Sequence, residues 1–196
     1  MTNAGSQGGR KRMFLLGIGG GSNSGKTTLA RKLAETLSAY RVRVIHTDDY
    51  FAVSMPKMVS RYSGRELEDF NQPASWDLPR FHRELEQAMS DSEVDVLIVE
   101  GIFALFEAEI RELYDLSVFV DTPSDERFFR RIKWRLSQGV PLEDEGDYFL
   151  GTQRFRHQEF YEPLKFFADL VIGGSEITAR KVDIVAAYIT TELGKG

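Results

Sequence analysis

The chain contains no cysteine, which excludes a disulfide framework and any thiolate metal site and fits a reducing compartment. Its three histidines, His46, His82 and His157, fall in separate stretches without metal-ligand spacing, so they are expected to be structural or solvent-exposed. No apolar run approaches the length of a membrane-spanning helix. Residues 1–12 are polar and glycine-rich, end in Arg10-Lys11-Arg12 and lack the apolar stretch of a signal peptide. They are expected to form a flexible tail, with residues 13–196 as one folded domain in the cytoplasm. Basic residues are the minority: 25 Lys and Arg against 30 Asp and Glu leave a net charge of −5. Neither nucleic acid nor membrane is therefore an expected partner, and a small molecule is.

Glycine, by contrast, is concentrated where it carries chemistry. Gly20-Gly21-Ser22-Asn23-Ser24-Gly25-Lys26-Thr27 fills every fixed position of the phosphate-binding loop G-x-x-x-x-G-K-[ST] and follows an apolar run at 13–18. Glycines let successive backbone N–H groups converge on one phosphate, and the helix that follows offers its positive N-terminal end. Lys26 supplies a mobile charge for the outer phosphates, and the Thr27 hydroxyl is placed to ligate Mg²⁺. Residues 20–28, Thr28 included, are thus the expected nucleotide-binding set.

Apolar runs at 14–18, 42–46, 94–99, 116–120 and 169–172 alternate with helical patterns at 26–38, 78–90, 107–113, 124–138, 147–162 and 178–193. That alternation predicts a parallel sheet with crossover helices, its strands covered on both faces. Asp77 is the expected N-cap of the second helix, with Pro79 in its first turn, and Ser124 that of the fourth, ahead of Asp125 and Glu126. Phe166 and Phe167 are expected to seat the last strand.

Ligands of such sheets sit beyond the carboxyl ends of the strands. Asp48, just past the second strand, and Glu100, ending the third, are the expected carboxylates there. Asp48 is the expected base for an acceptor hydroxyl, with Asp49 as competitor, and both Asp48 and Glu100 are candidate Mg²⁺ ligands alongside Thr27. On the helix at 124–138, Arg127, Arg131 and Arg135 recur at i, i+4 and i+8 beside an apolar stripe of Phe128, Ile132 and Leu136. Arg131 and Arg135 are the expected cations for the transferring phosphoryl group. The segment at 139–146 breaks helicity and suits a mobile lid.

With those motifs in order, the chain resembles the uridine kinase, nicotinamide riboside kinase and phosphoribulokinase superfamily. The residues that carry the resemblance are 17–29, Thr47-Asp48-Asp49-Tyr50-Phe51, Ile98-Val99-Glu100-Gly101-Ile102, Phe119-Val120-Asp121-Thr122 with Arg130-Arg131, and the run at 161–172, which is particularly similar to uridine kinases. The resemblance implies a three-layer P-loop kinase fold with a five-stranded parallel sheet, ATP with Mg²⁺, Asp48 as the acceptor-activating carboxylate, and an arginine-bearing helix leading into a lid at about 139–147. Gly146-Asp147-Tyr148-Phe149 and the residues at 154–159 are similar to the lid region of nicotinamide riboside kinases.

Departures from the pattern concern the acceptor. Where uridine kinases carry an aspartate that binds ribose hydroxyls, this chain has Asn71, within Phe70-Asn71-Gln72-Pro73-Ala74-Ser75-Trp76-Asp77. The short connection between 90 and 94 leaves no room for their aromatic hairpin, and the arginines flanking their lid glycine read Gln138-Gly139-Val140. Asn71 still offers a hydrogen-bond donor and acceptor. Arg61, Tyr62, Arg65 and Trp76 lie in the segment expected to cover the acceptor, and Tyr50 follows the catalytic carboxylates. The expected acceptor-binding set is Asp48, Tyr50, Arg61, Asn71, Trp76 and Glu100. The expected activity is an ATP-dependent kinase of a nucleoside-like hydroxyl; the alternatives are a kinase of another small alcohol or sugar, and a nucleotide-hydrolysing switch or regulator.

Overall fold

In the computed structural model, which describes residues 13–195, the elements run β1 (Phe14–Gly20), α1 (Lys26–Thr36), β2 (Val42–His46), β3 (Lys57–Val59), β4 (Glu66–Glu68), α2 (Leu78–Ser90), β5 (Val96–Glu100), α3 (Ala108–Arg111), β6 (Leu116–Asp121), α4 (Ser124–Ser137), α5 (Leu142–Tyr148), α6 (Arg154–Arg156), β7 (Leu170–Gly173) and α7 (Ala179–Leu193). The tail expected at 1–12 lies outside the described residues.

Five strands pair in the order β2-β5-β1-β6-β7, all parallel. Alternation along the buried strands divides their side chains between two apolar layers. Phe14, Leu16 and Ile18 join Leu29 and Leu33 of α1 and Val182, Val185 and Ile189 of α7 on one face. Leu15, Leu97, Val99 and Phe119 join Phe81 and Leu85 of α2, Ile110 of α3 and the ring of Phe103 on the other. Each such side chain, fully buried, contributes about 1.5–3 kcal/mol. The result is the three-layer α/β arrangement expected, with β1 central and the carboxyl ends of β1, β2 and β5 at one edge. Among the described residues no helix is long and apolar enough to cross a membrane.

Asp77 caps α2 as expected, accepting from Arg80 N at 3.1 Å. Ser124 does not cap α4: Pro123 occupies that position without a side-chain bond, and Asp125 and Glu126 supply the negative charge in the first turn.

Four features depart from the sequence-based expectation. The β3–β4 hairpin was not anticipated, because each three-residue strand has one half-buried apolar residue, Met58 or Leu67, between exposed neighbours; a Lys57–Glu66 bond of 2.7 Å ties it. The segment expected to be non-helical at 139–146 is helical from Leu142, and only 138–141, with Gly139 at φ 80°, forms a break. The helix expected at 147–162 is helical but widened twice, by π-helical turns Phe149–Gln153 and His157–Tyr161. Such turns leave no mark in hydrophobic periodicity. Finally, Phe166 and Phe167 are exposed, whereas Leu164 is buried in the second apolar layer.

Candidate active site

A cavity of about 980 Å³ opens at the carboxyl edge of the sheet. One end is the loop between β1 and α1. Gly25 adopts φ 106°, a left-handed conformation that turns the chain into α1. Gly21 is held by close approach: a Cβ there would stand 2.6 Å from Arg127 Nη1 and 2.9 Å from His157 Cε1. Lys26 Nζ donates to Gly21 O at 2.9 Å. Burial pulls the Lys26 pKa down, Glu100 and Asp48 oppose this, and Arg127 adds to it.

Glu100 ends β5 and is buried. Thr27 Oγ1 donates to its Oε1 at 2.8 Å, and His46 Nδ1 lies 2.6 Å from the same oxygen. His46, expected to be merely structural or exposed, therefore adjoins the candidate metal carboxylate. Asp48 presents its carboxyl to the cavity from the short 3-10 turn Thr47–Tyr50. Desolvation by the surrounding protein raises its pKa, Lys26 lowers it, Glu100 and Asp49 raise it further, and His46 lowers it. By solvent-accessible area the residue is exposed, and the raised pKa makes its carboxylate a stronger base than an unperturbed aspartate.

Among the described residues no group of three or more His, Cys, Asp and Glu is set to hold a metal ion. A divalent cation here would lean on Thr27, Glu100 and Asp48 together with nucleotide phosphates, which is how Mg²⁺ is ordinarily held. The oxygen donors and the glycine cradle fit both groups.

Beneath the phosphate loop sits a positive charge. Arg127 is buried, its Nε donates to Thr122 O at 3.1 Å, and its Nη1 has no partner among the described residues. Burial lowers its pKa. His157, packed against the same glycine, is driven down to about 3 by burial, Arg127, Lys26 and Lys165, so it stays neutral at physiological pH.

The far wall of the cavity includes Phe51, Phe70, Asn71 and Tyr148. Asn71 Nδ2 donates to Tyr148 Oη at 2.8 Å, joining the acceptor-side loop to the end of α5. Tyr148 is pushed up to about 12, chiefly by desolvation, so it remains a hydroxyl. Phe51 and Phe70 meet edge to face at 5.4 Å. The α4 side presents Arg130, Arg131, Trp134 and Arg135. Arg130 Nη1 bridges Asn23 O and Gly174 O, at 3.3 and 3.1 Å, tying α4 to the phosphate loop.

The structure thus brings together Ser22, Asn23, Gly25, Lys26, Thr27, Thr28, Asp48, Asn71, Glu100, Arg131 and Arg135 around one cavity, with Gly20, Gly21 and Ser24 forming the loop's backbone behind it. Three expected acceptor residues stand apart. Trp76 is buried, stacked on Phe103 at 5.0 Å with the rings 6° from parallel. Tyr50 is buried edge-on against Phe81 at 5.5 Å. Arg61 lies 4.3 Å over the Phe155 ring, outside the cavity lining. In this structure the first two pack ring on ring and the third makes a cation–π contact, so none of the three lines the cavity. Arg127, Arg130, Glu145, Tyr148, Phe51 and Phe70 were not anticipated at the site. The sequence did carry signals near them: the arginine spacing, the Arg130-Arg131 pair, the stretches that end in Phe51 and begin at Phe70, the lid around Glu145 and the Tyr148-Phe149 pair.

Residues 65–173 match the model of the phosphoribulokinase / uridine kinase family. The uridine kinase of Deinococcus deserti is 30% identical, over 94% of this chain and 99% of its own length. That of Macrococcus caseolyticus is 32% identical, over 89% and 95%. The solved structure of shikimate kinase from Acinetobacter baumannii in complex with shikimate superposes with a TM-score of 0.53 at 20% identity, over 93% of this chain and 96% of that one. It is a likeness of fold alone.

Proposed function

The chain belongs to the phosphoribulokinase / uridine kinase family, a family of kinases, and we propose that it transfers the γ-phosphoryl group of ATP to a hydroxyl of a nucleoside-type acceptor such as uridine. The observation that carries this reading is that Lys26, Thr27, Asp48 and Glu100 line one cavity together with Asn71 and Tyr148, with Thr27 hydrogen-bonded to Glu100.

The backbone of residues 20–27 and the N-terminus of α1 cradle the phosphates, and Lys26 reaches the outer ones. Thr27, Glu100 and Asp48 would hold Mg²⁺, which when bound would supply positive charge against the nucleotide phosphates. Asp48 takes the acceptor proton as the acceptor oxygen bonds to the γ-phosphorus and the bond to the β–γ bridging oxygen breaks, releasing ADP. Arg131 and Arg135 offset charge on the phosphoryl group in flight. The segment at about 139–147 serves as the lid, and the reaction belongs in the cytoplasm.

Asn71 and the Tyr148 hydroxyl offer neutral hydrogen bonds to a ribose diol, while Phe51 and Phe70 give an apolar wall for a base. Asn71 in place of a carboxylate, together with the lack of any strand between Ser90 and Val96, favours a second reading in which the acceptor is another small alcohol or sugar. Incubation with ATP, Mg²⁺ and a metabolite library, followed by mass spectrometry, tests both. The account expects nucleosides to gain one phosphoryl group; a library in which no hydroxyl compound gains it contradicts the reading.

A further inference from the structure

We propose that Glu145 is a positioning residue that brackets the two guanidinium groups of α4 so that their terminal nitrogens face the transferred phosphoryl group. Glu145 lies in α5, is 3% exposed, and stands within an otherwise exposed acidic run, Glu143-Asp144-Glu145. Its two carboxylate oxygens are divided between two arginines. Arg131 Nε donates to Oε1, and Arg135 Nε donates to Oε2 at 3.0 Å.

The choice of nitrogen matters. Both pairs use Nε, the inner edge of the guanidinium, and among the described residues no hydrogen bond engages the Nη atoms of either arginine. Both side chains line the cavity that holds Lys26, Thr27 and Asp48. A carboxylate competing for the phosphoryl site would occupy the outer, forked edge; this one leaves that edge to an anion. Tyr148 completes the bracket, its ring 5.1 Å from the Arg131 guanidinium carbon, and its hydroxyl is held by Asn71. One buried carboxylate against two guanidiniums leaves net positive charge facing the cavity, as a site for a developing anion requires.

The bracket also explains how the break at 138–141 is compatible with an ordered site. α4 ends at Ser137, and without a tie from α5 the arginines in its last two turns would sample many rotamers, losing the near-attack geometry on which phosphoryl transfer depends. The carboxylate acts through the arginines and does not itself touch substrate.

This inference rests on the phosphoryl-transfer reading, and its test separates the two. Steady-state kinetics with ATP and the best acceptor are compared for the parent, Glu145→Gln, Glu145→Asp, Arg131→Ala and the Glu145→Gln/Arg131→Ala double variant, with melting temperatures for each. Calorimetry then measures affinity for Mg-ADP with and without aluminium fluoride, a mimic of the phosphoryl group in flight. Glu145→Gln is expected to lower kcat roughly 10- to 100-fold with the KM for ATP little changed, and to weaken the aluminium fluoride complex without weakening ADP alone. Glu145→Asp, which keeps the charge, is expected to recover part of the loss, and the double variant to be little worse than Arg131→Ala.

A folded Glu145→Gln enzyme with parental kcat, one with raised kcat, or a double variant in which the two losses multiply would each overturn the positioning role. Should Glu145→Gln fail to fold, Glu145→Asp and the calorimetric comparison decide: parental aluminium fluoride affinity in Glu145→Asp with kcat lowered only in step with stability overturns it. A parent enzyme that transfers phosphoryl groups to no acceptor overturns the underlying reading instead.

Discussion

Thr27, at the start of α1, donates its hydroxyl proton to Glu100, the last residue of β5, across a distance of 2.8 Å. The bond joins the phosphate loop to the neighbouring strand and leaves Glu100 Oε2 without a hydrogen-bond partner among the described residues. Replacing Glu100 with Gln removes the charge that would attract Mg²⁺ while keeping the shape. The Mg²⁺ concentration for half-maximal activity should rise by about tenfold or more at fixed ATP. A magnesium titration that overlays the parent's would remove Glu100 from the metal site.

Asp48 has two measurable consequences. Its pKa is raised from the ordinary 3.8, first by desolvation, so the acid limb of kcat/KM, where the base is lost to protonation, should fall at a pH above that value. Because the folded pKa exceeds the unfolded one, the stability tied to the protonated acid is present at low pH and lost as pH rises through the folded pKa. Asp48→Asn should therefore abolish transfer, keep nucleotide affinity and melt above the parent at neutral pH, with the margin closing as pH falls toward the ordinary carboxylate range. Parental turnover in Asp48→Asn would end its role as base.

His157 titrates in the opposite sense. Its folded pKa is about 3 against an ordinary 6.5, so its contribution to stability is complete above the ordinary value and drains away between there and about 3. The slope is at most about 1.4 kcal/mol per pH unit. Melting curves of the parent should drop more steeply through this window than those of His157→Gln. Parallel curves would mean that the imidazole is not buried against Arg127 and Lys26.

Asn71 is expected to tune acceptor choice. A carboxylate there strengthens hydrogen bonds to a diol roughly twofold in energy relative to a neutral amide, so Asn71→Asp should shift kcat/KM toward uridine, cytidine and nicotinamide riboside over non-ribose alcohols. An unaltered acceptor ranking would take Asn71 out of the pocket.

Much of the fold was legible because it rests on local signals. Strands covered on both faces read as unbroken apolar runs, and the phosphate loop announces itself by spacing, so β1, α1, Asp48 and Glu100 could be set around one cleft from sequence. Side-chain direction was not legible. Tyr50 and Trp76 lie close in the chain to the candidate residues Asp48 and Asn71, yet their rings turn to Phe81 and Phe103, contacts that only tertiary packing creates. Glu145 carries no local mark that separates it from Glu143 and Asp144; only the crossing of α5 over α4 buries it between two arginines. The β3–β4 hairpin is held in part by bonds from Ser60 and Ser63 to Asp147, partners far apart in sequence, and no periodicity encodes such a pair.

Movement of the γ-phosphoryl group to an acceptor hydroxyl is read by following the label of γ-labelled ATP in the presence of Mg²⁺ and a nucleoside mixture, with the parent and a folded Lys26→Ala protein side by side. The account predicts that the parent carries the label into a nucleoside monophosphate and that Lys26→Ala loses this steeply, by roughly 10² or more. Label released only as inorganic phosphate, or equal transfer by Lys26→Ala, would contradict it.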